Sequence, residues 1–289
     1  MNWKKMTVRR TKITKILNTA GRVCILAFYL VMVLAPIYWM IISSLKTNKE
    51  IIQAGGAITY WPSAWTFEHY QSLFTHLDFG VFLRNSILLA VTTAVIVLTF
   101  SILGGYAMAR YRFRIKTHIL LFFLVTQMIP GILMTIPIYV IYMQLGLINT
   151  LTGLLILYVT ANTPFCLIVM RGFFERIPVA LEEAARIDGC NRVTALRRVI
   201  IPVLFPGIVA VFVFAFIGAW NDLLTGVIFT NSKSMWTVPV GMRSLIGKYD
   251  VNWGQLMAGG TLALLPTTVM FAFVQRFIVE GLTSGAVKG

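Results

Sequence analysis

The chain has 289 residues, with 25 Lys and Arg against 10 Asp and Glu, and a mean hydropathy of +0.80. Apolar residues make up 58% and charged residues 12%, whereas a soluble domain carries about 25% charged residues. So little charge cannot cover a water-facing surface, which excludes an ordinary soluble globule and makes lipid part of the solvent.

A bilayer core about 30 Å thick needs about 20 apolar residues per helix. Six runs meet that need, at 23–45, 85–109, 117–141, 150–170, 203–226 and 257–279. The predicted fold class is therefore an all-α integral membrane protein with six transmembrane helices. Residues 1–22 form a basic leader, and 23–289 form one transmembrane domain without internal repeats or a linker to a second domain. The first run is too long for a signal-peptide core and lacks a cleavage site, so it reads as a retained helix. Pro36, Pro130, Pro137, Pro164, Pro206 and Pro266 fall within the runs; in a bundle, neighbouring helices and waters can satisfy the backbone groups they free.

Orientation follows from the Lys and Arg of the connections. The leader, the connection after the second run, the connection after the fourth run and the C-terminal end together hold 19 of the 25 cations. The opposite connections hold the other six: Lys46, Lys49, Arg84, Lys233, Arg243 and Lys248. Both termini are thus expected in the cytoplasm. The same asymmetry accounts for a pI near 10.1, because an anionic inner leaflet attracts basic segments without any nucleic-acid partner.

Several chemistries find no support. No Gly-x-x-x-x-Gly-Lys-Ser/Thr string occurs, and Gly247-Lys248 is followed by Tyr249, so the chain lacks that phosphate cradle. His69, His76 and His118 are scattered, and Cys24, Cys166 and Cys190 share no metal-ligand spacing. Within the spans the polar groups are neutral ones such as Gln127, Asn162 and Gln275, with Asp222 and Glu280 near span ends. Ion-coupled carriers place ionisable groups inside the bundle. If this chain transports, its energy is expected to come from another subunit.

The connection between the fourth and fifth runs, about 32 residues, is long for a helix–helix link. Pro178 suits the first turn of a helix over 181–187, and Gly189 suits its stop. Asn191 suits the cap of a second helix that puts Val193, Leu196, Val199 and Ile200 on one face, with Arg192, Arg197 and Arg198 off it. Such a hairpin, with Ala184 and Ala185 beside Glu183, could sit in a groove of a partner. It could equally lie on lipid headgroups.

The string Glu183-Ala-Ala-Arg-Ile-Asp-Gly189, with Pro202 thirteen residues beyond, resembles the EAA loop of binding-protein-dependent ABC importer permeases. Other strings resemble the carbohydrate-type members in the same order: Asn85-Ser-Ile-Leu88, Tyr106-Ala-Met-Ala-Arg-Tyr-Arg-Phe113, Arg171-Gly-Phe-Phe-Glu-Arg-Ile-Pro178, Ala219-Trp-Asn-Asp222 and the tail 281–289. Cys190 and Ile201 depart from the alanine and leucine common in the family. The resemblance implies a carbohydrate importer in a bacterial inner membrane, working by alternating access, with a coupling loop at about 171–202. Glu183, Ala184, Ala185, Arg186, Asp188 and Gly189 would be the coupling residues: Glu183 a polar contact, the alanines the close-fitting surface, Gly189 the turn, and Asp188 a local cap or partner of an Arg. Expected partners are a second permease subunit, two ATP-binding cassette subunits, a solute-binding protein and the bilayer. ATP and Mg would be used by those ATPase subunits, with no cofactor on this chain and no enzymatic activity of its own. Gln127, Asn162, Trp220 and Asn221 are candidates for the solute path, although tryptophans favour membrane interfaces and amides also join helices. Glycerol phosphates or other polar solutes remain open as cargo, and a stand-alone carrier remains a further alternative.

Overall fold

A computed structural model describes the backbone of residues 3–52, 58–247 and 250–286, with side chains placed for 18–52, 58–247 and 250–275. In lipid a backbone must satisfy its own N–H and C=O groups, and every regular element among the described residues is a helix. In chain order these are α1 (Trp3–Ser44), α2 (Asn48–Ile52), α3 (Glu68–His76), α4 (Phe79–Arg110), α5 (Lys116–Met128), α6 (Gly131–Gln144), α7 (Leu151–Arg176) and α8 (Val179–Ile187). There follow α9 (Arg192–Ala195), which runs through a π-helical turn into α10 (Ile201–Val203), then α11 (Phe205–Trp220), α12 (Leu224–Phe229), α13 (Val238–Arg243) and α14 (Trp253–Ala286). Lys248, Lys288 and the end of the tail lie outside the described residues.

Four helices are long and apolar enough to cross a membrane singly: 18–44 within α1, then α4, α7 and 253–275 within α14. Two further pairs meet the test only together, which corrects two of the six expected spans. The expected continuous helix 117–141 is broken: α5 and α6 meet at 99°. The cause is Pro130, which disfavours helical backbone at the residue before it; Ile129 is accordingly extended, at φ −78 and ψ 121. Pro36, Pro137, Pro164 and Pro266 lie inside unbroken helices. The expected fifth span, 203–226, begins instead at Phe205 after an 80° bend. It stops at Trp220, and α12 resumes only at Leu224. The helix α1 runs without a break from Trp3 to Ser44, across residue 22.

The chain divides into two compact units, one of Met1–Leu73 with Asp250–Leu262, the other of Phe74–Tyr249 with Ala263–Gly289. In the first, the segment after α2 is sewn down by polar contacts. Lys46 donates to the Thr59 carbonyl, and its ammonium sits 4.7 Å from the centre of the Trp39 ring. The Glu50 carboxylate accepts from the Thr59 hydroxyl at 2.6 Å, and from the Ser63 N–H and hydroxyl at 3.3 and 3.0 Å. Buried His69 is hydrogen-bonded through Nε2 to the Lys46 carbonyl at 2.8 Å.

In the second unit α4, α7 and α11 pack against one another around Leu89, Val97, Met170, Phe174 and Val211, all buried. Without a hydrophobic drive between helices in lipid, small residues that permit close approach carry such packing. At Gly105 of α4 a Cβ would stand 3.0 Å from the Arg171 backbone nitrogen of α7. At Gly218 of α11 it would collide with the Asn162 amide of α7.

Gly218→Val should therefore push α11 off α7 and cost about 1–3 kcal/mol. A fall in the thermal midpoint of the detergent-solubilised protein is expected; an unchanged midpoint would deny the contact. In the first unit, the Thr59 hydroxyl above all holds the Glu50 carboxyl below its ordinary 4.5 against the opposing effect of desolvation, with Ser63 and Lys46 assisting. A depressed folded-state value means the contribution is complete above the unfolded value and is lost as pH falls through the folded one. Amide protection over 58–67 should then decline in acid, as pH falls past the ordinary Glu50 value and through the depressed one, whereas Glu50→Gln should show the weaker protection already at neutral pH.

Candidate functional site

The long basic connection folds into a helical hairpin. α7 ends at Ile177, whose side chain is buried, and Pro178 stands at the N-cap of α8. α8 closes in a left-handed glycine turn. Gly189 has φ +87 and donates to the Arg186 carbonyl at 3.1 Å, while the Cys190 N–H reaches the Ala185 carbonyl at 3.0 Å. These two bonds satisfy carbonyls that a helix end otherwise leaves open. The Asn191 side chain then accepts from the Thr194 N–H at 2.8 Å and caps the second arm. That arm winds through a π-helical turn, Leu196–Ile200, before it bends into α11.

Burial sorts the expected coupling residues into two sets. Glu183, Ala184, Arg186, Asp188 and Gly189 are exposed, whereas Ala185 is buried against the second arm with Ala195 and Ile200. Ala185 thus faces the chain's own interior, not an outward close-fitting surface. Asp188 serves as the C-cap residue through its backbone, and its carboxylate forms no salt bridge among the described residues. Val193 was expected on the apolar face with Leu196, Val199 and Ile200; it points outward instead and is 73% exposed. Ile187 is 86% exposed. The hairpin tip therefore presents two bare aliphatic side chains among Glu183, Arg186 and Arg192.

Three residues that the sequence patterns left without a role hold the hairpin in place. Arg110, at the end of α4, donates through Nε to Glu182 at 2.6 Å and through Nη2 to the Ile177 carbonyl at 2.8 Å. The Tyr106 hydroxyl donates to the other Glu182 oxygen at 3.3 Å. Nearby, Arg192 donates to the Tyr111 hydroxyl at 3.0 Å, and its guanidinium lies 5.4 Å from that ring's centre. This hydrogen bond raises the pKa of Arg192 further, so its charge is constant. The sequence signals were the string from Tyr106 to Phe113 and Glu182 beside Glu183, and neither could be joined to the other without knowing which helix faces meet.

The four solute-path candidates do not converge. Asn162 donates to the Tyr158 carbonyl at 2.8 Å and fills the notch opposite Gly218, as an amide that joins helices. Trp220 is buried, stacked on Phe216 at 5.7 Å, and donates to the Ala263 carbonyl at 3.3 Å. Gln127 and Asn221 are exposed. Two clefts flank the α5–α6 bend and share Gly131, Met134, Thr160 and Ala161. One, of about 740 Å³, includes Gln127, Thr126 and Thr163; the other, of about 480 Å³, includes Asp222, Thr135 and Thr225. Asp222 sits in the break between α11 and α12. It accepts from Tyr158 at 3.2 Å, from the Thr225 hydroxyl at 2.9 Å and from the Gly226 N–H at 3.1 Å.

The bundle and its hairpin define a multi-pass membrane permease. Residues 101–284 match the family described as binding-protein-dependent transport system inner membrane component, and the chain belongs to that family. It is 38% identical to the inner membrane ABC transporter permease protein YcjP of Escherichia coli, over 94% of this chain and 98% of that one. It is 35% identical to the diacetylchitobiose uptake system permease protein DasC of Streptomyces coelicolor, over 88% and 91% of the two chains. Its fold is shared with a chain of a bacterial ABC transporter involved in import of the acidic polysaccharide alginate, with TM-score 0.77, 24% identity and coverage of 93% and 97%. The protein is thus a permease of the inner membrane, and the hairpin lies wholly inside the matched region.

At Gly189 no atom would meet a Cβ, so substitution is opposed by backbone strain alone. Gly189→Ala should cost about 1 kcal/mol and quicken amide exchange at 188–190, while Gly189→Asn, which tolerates left-handed backbone, should cost less. Equal exchange in all three proteins would contradict the strained turn.

Proposed function

We propose that this chain is one of two permease subunits of an ATP-driven importer of carbohydrate, an oligosaccharide above all, and that the hairpin tip docks on an ATPase subunit. The observation that carries the reading is the bare Ile187 and Val193, at 86% and 73% exposure, at the tip of a hairpin whose interior is closed by buried Ala185, Ala195 and Ile200. Two aliphatic side chains ringed by charge suit a protein groove, because buried apolar anchors within a polar rim dominate such contacts. Glu183, Ala184 and Arg186 flank them and belong to the same docking face. Ala185 supports that face from beneath, and Gly189 turns the chain away from it.

Both termini and the hairpin lie on the cytoplasmic side in this reading, as the Lys and Arg distribution requires. Two ATP-binding cassette subunits bind ATP and Mg; this chain holds no cofactor and catalyses no reaction of its own. A solute-binding protein delivers cargo on the opposite side, and a homologous permease completes the path. ATP-driven closure of the cassettes moves the hairpin, and the spans answer by alternating access. Carbohydrate cargo is supported by the diacetylchitobiose and alginate systems to which the chain is similar.

Co-purification from the native membrane tests the assembly. A cassette ATPase, a second permease and a binding protein should accompany the tagged chain, and the ligand of that binding protein names the cargo. Ile187→Asp should leave the chain in the membrane but strip away the ATPase, since it places a charge at the centre of the apolar contact. Ala185→Asp should act differently. It buries a charge inside the hairpin and should lower the amount of folded protein by about 1–3 kcal/mol of stability. ATPase retention by the Ile187→Asp protein would refute this docking face.

A further inference from the structure

The string Tyr106 to Phe113 closes α4, and its arginine meets two other elements at once. One planar guanidinium joins the end of α4 to Ile177, where α7 stops, and to Glu182 in the first turn of α8. Side-chain exposures of 9% for Arg110 and 14% for Glu182 leave water little access to the pair. With Tyr106 on the second oxygen, both oxygens of Glu182 are engaged. The elbow's own backbone bonds, Ile177 N–H to the Phe174 carbonyl at 3.1 Å and Leu181 N–H to the Pro178 carbonyl at 3.2 Å, each stay on one side of it. Pro178 has no N–H to donate back to α7, and no side chain caps α8 at its start.

From this geometry we propose that Arg110 is a positioning residue that sets the α7–α8 angle, so that the hairpin, α7 and α4 move as one body. The inference rests on the coupling reading above and adds the route by which force leaves the hairpin. The route runs through the guanidinium into α4, and α4 is already joined to α7 where Gly105 meets the Arg171 backbone. A shielded ion pair is a poor source of net stability compared with an apolar contact of similar size. Its specific product is direction: the fork of an arginine offers two donors at a set angle, which the single ammonium of lysine cannot reproduce.

The test uses the complete complex, co-purified from the native membrane and placed in nanodiscs. Spin labels go on α4 and α8 through Val91→Cys and Val179→Cys, in a chain whose own cysteines have been replaced. With Arg110 intact, one narrow interspin distribution should persist in the nucleotide-free state and after trapping with ATP and vanadate. Arg110→Ala and Glu182→Gln should broaden it and make it shift on trapping, and Arg110→Lys should fall between. Stimulation of ATP hydrolysis by the co-purified binding protein should drop about tenfold in Arg110→Ala. Joining Arg110→Glu with Glu182→Arg should recover part of both losses, which a general weakening of the fold would not. An Arg110→Ala complex with unaltered distribution and stimulation overturns the proposal; if that variant fails to assemble, Arg110→Lys and Glu182→Gln decide by the same two readouts. Failure of the coupling reading has its own signature: no ATPase binds the unaltered hairpin, while Arg110→Ala still broadens the distribution. That outcome leaves a static clamp and removes its part in transport.

Discussion

When one helix hands the chain to another at a sharp elbow, the last carbonyls of the first and the first amides of the second lose their helical partners. In this permease the elbow follows a membrane span, and Pro178 has no N–H with which to close the gap. Arg110 supplies the missing donor to the Ile177 carbonyl and, from the same group, an ion pair to Glu182. Removing one partner leaves the other charge without its counter-ion and the Ile177 carbonyl or the Glu182 carboxylate without its donor. The hairpin's orientation follows from this junction, and so does the direction in which its exposed tip points.

Behind the junction lies a block of three helices, α4, α7 and α11, drawn together where glycine lets backbone approach backbone or side chain. Rigidity matters here because an elbow transmits displacement only into elements that resist bending. Continuity ends at the margins of this block. Beside it α5 and α6 fold at Pro130, and α11 itself stops at Trp220 before α12 resumes at Leu224. Broken helices at membrane depth are tolerated where the irregular backbone is enclosed by protein or borders a polar cavity. Asp222 answers that requirement with three donors and stands in the wall of one of the two clefts beside the bend. Stiff levers and hinged walls thus occupy different parts of the same unit.

Particular residues explain which features the sequence made legible. Helix existence was readable because apolar runs of about 20 residues have few alternatives in lipid. Gly189 as a turn and Asn191 as a cap were readable because their chemistry is local, and the structure bears out both. Pro130 and Pro137 look alike in sequence, yet only Pro130 lies at a break between helices, while Pro137 stands inside α6. Asn162 and Trp220 were proposed for the path as polar and aromatic residues in apolar surroundings, but each has a partner within the bundle. Glu182 and Glu183 are adjacent, and about 100° of helical rotation sends one into an ion pair and the other toward solvent.

By itself, the sequence determined the solvent, the material and the family resemblance: low charge calls for lipid, unbroken apolar runs of about 20 residues call for helices, and the ordered motifs point to an importer permease. Those properties follow from composition and from spacing along the chain, which need no knowledge of neighbours. Only the tertiary structure decided that Ala185 faces inward, that Ile187 and Val193 face outward, and that Arg110 reaches Glu182 seventy-two residues away. The physical reason is that burial and ion pairing belong to pairs of surfaces. A linear pattern specifies one surface at a time, and the second is known only when the helices have packed.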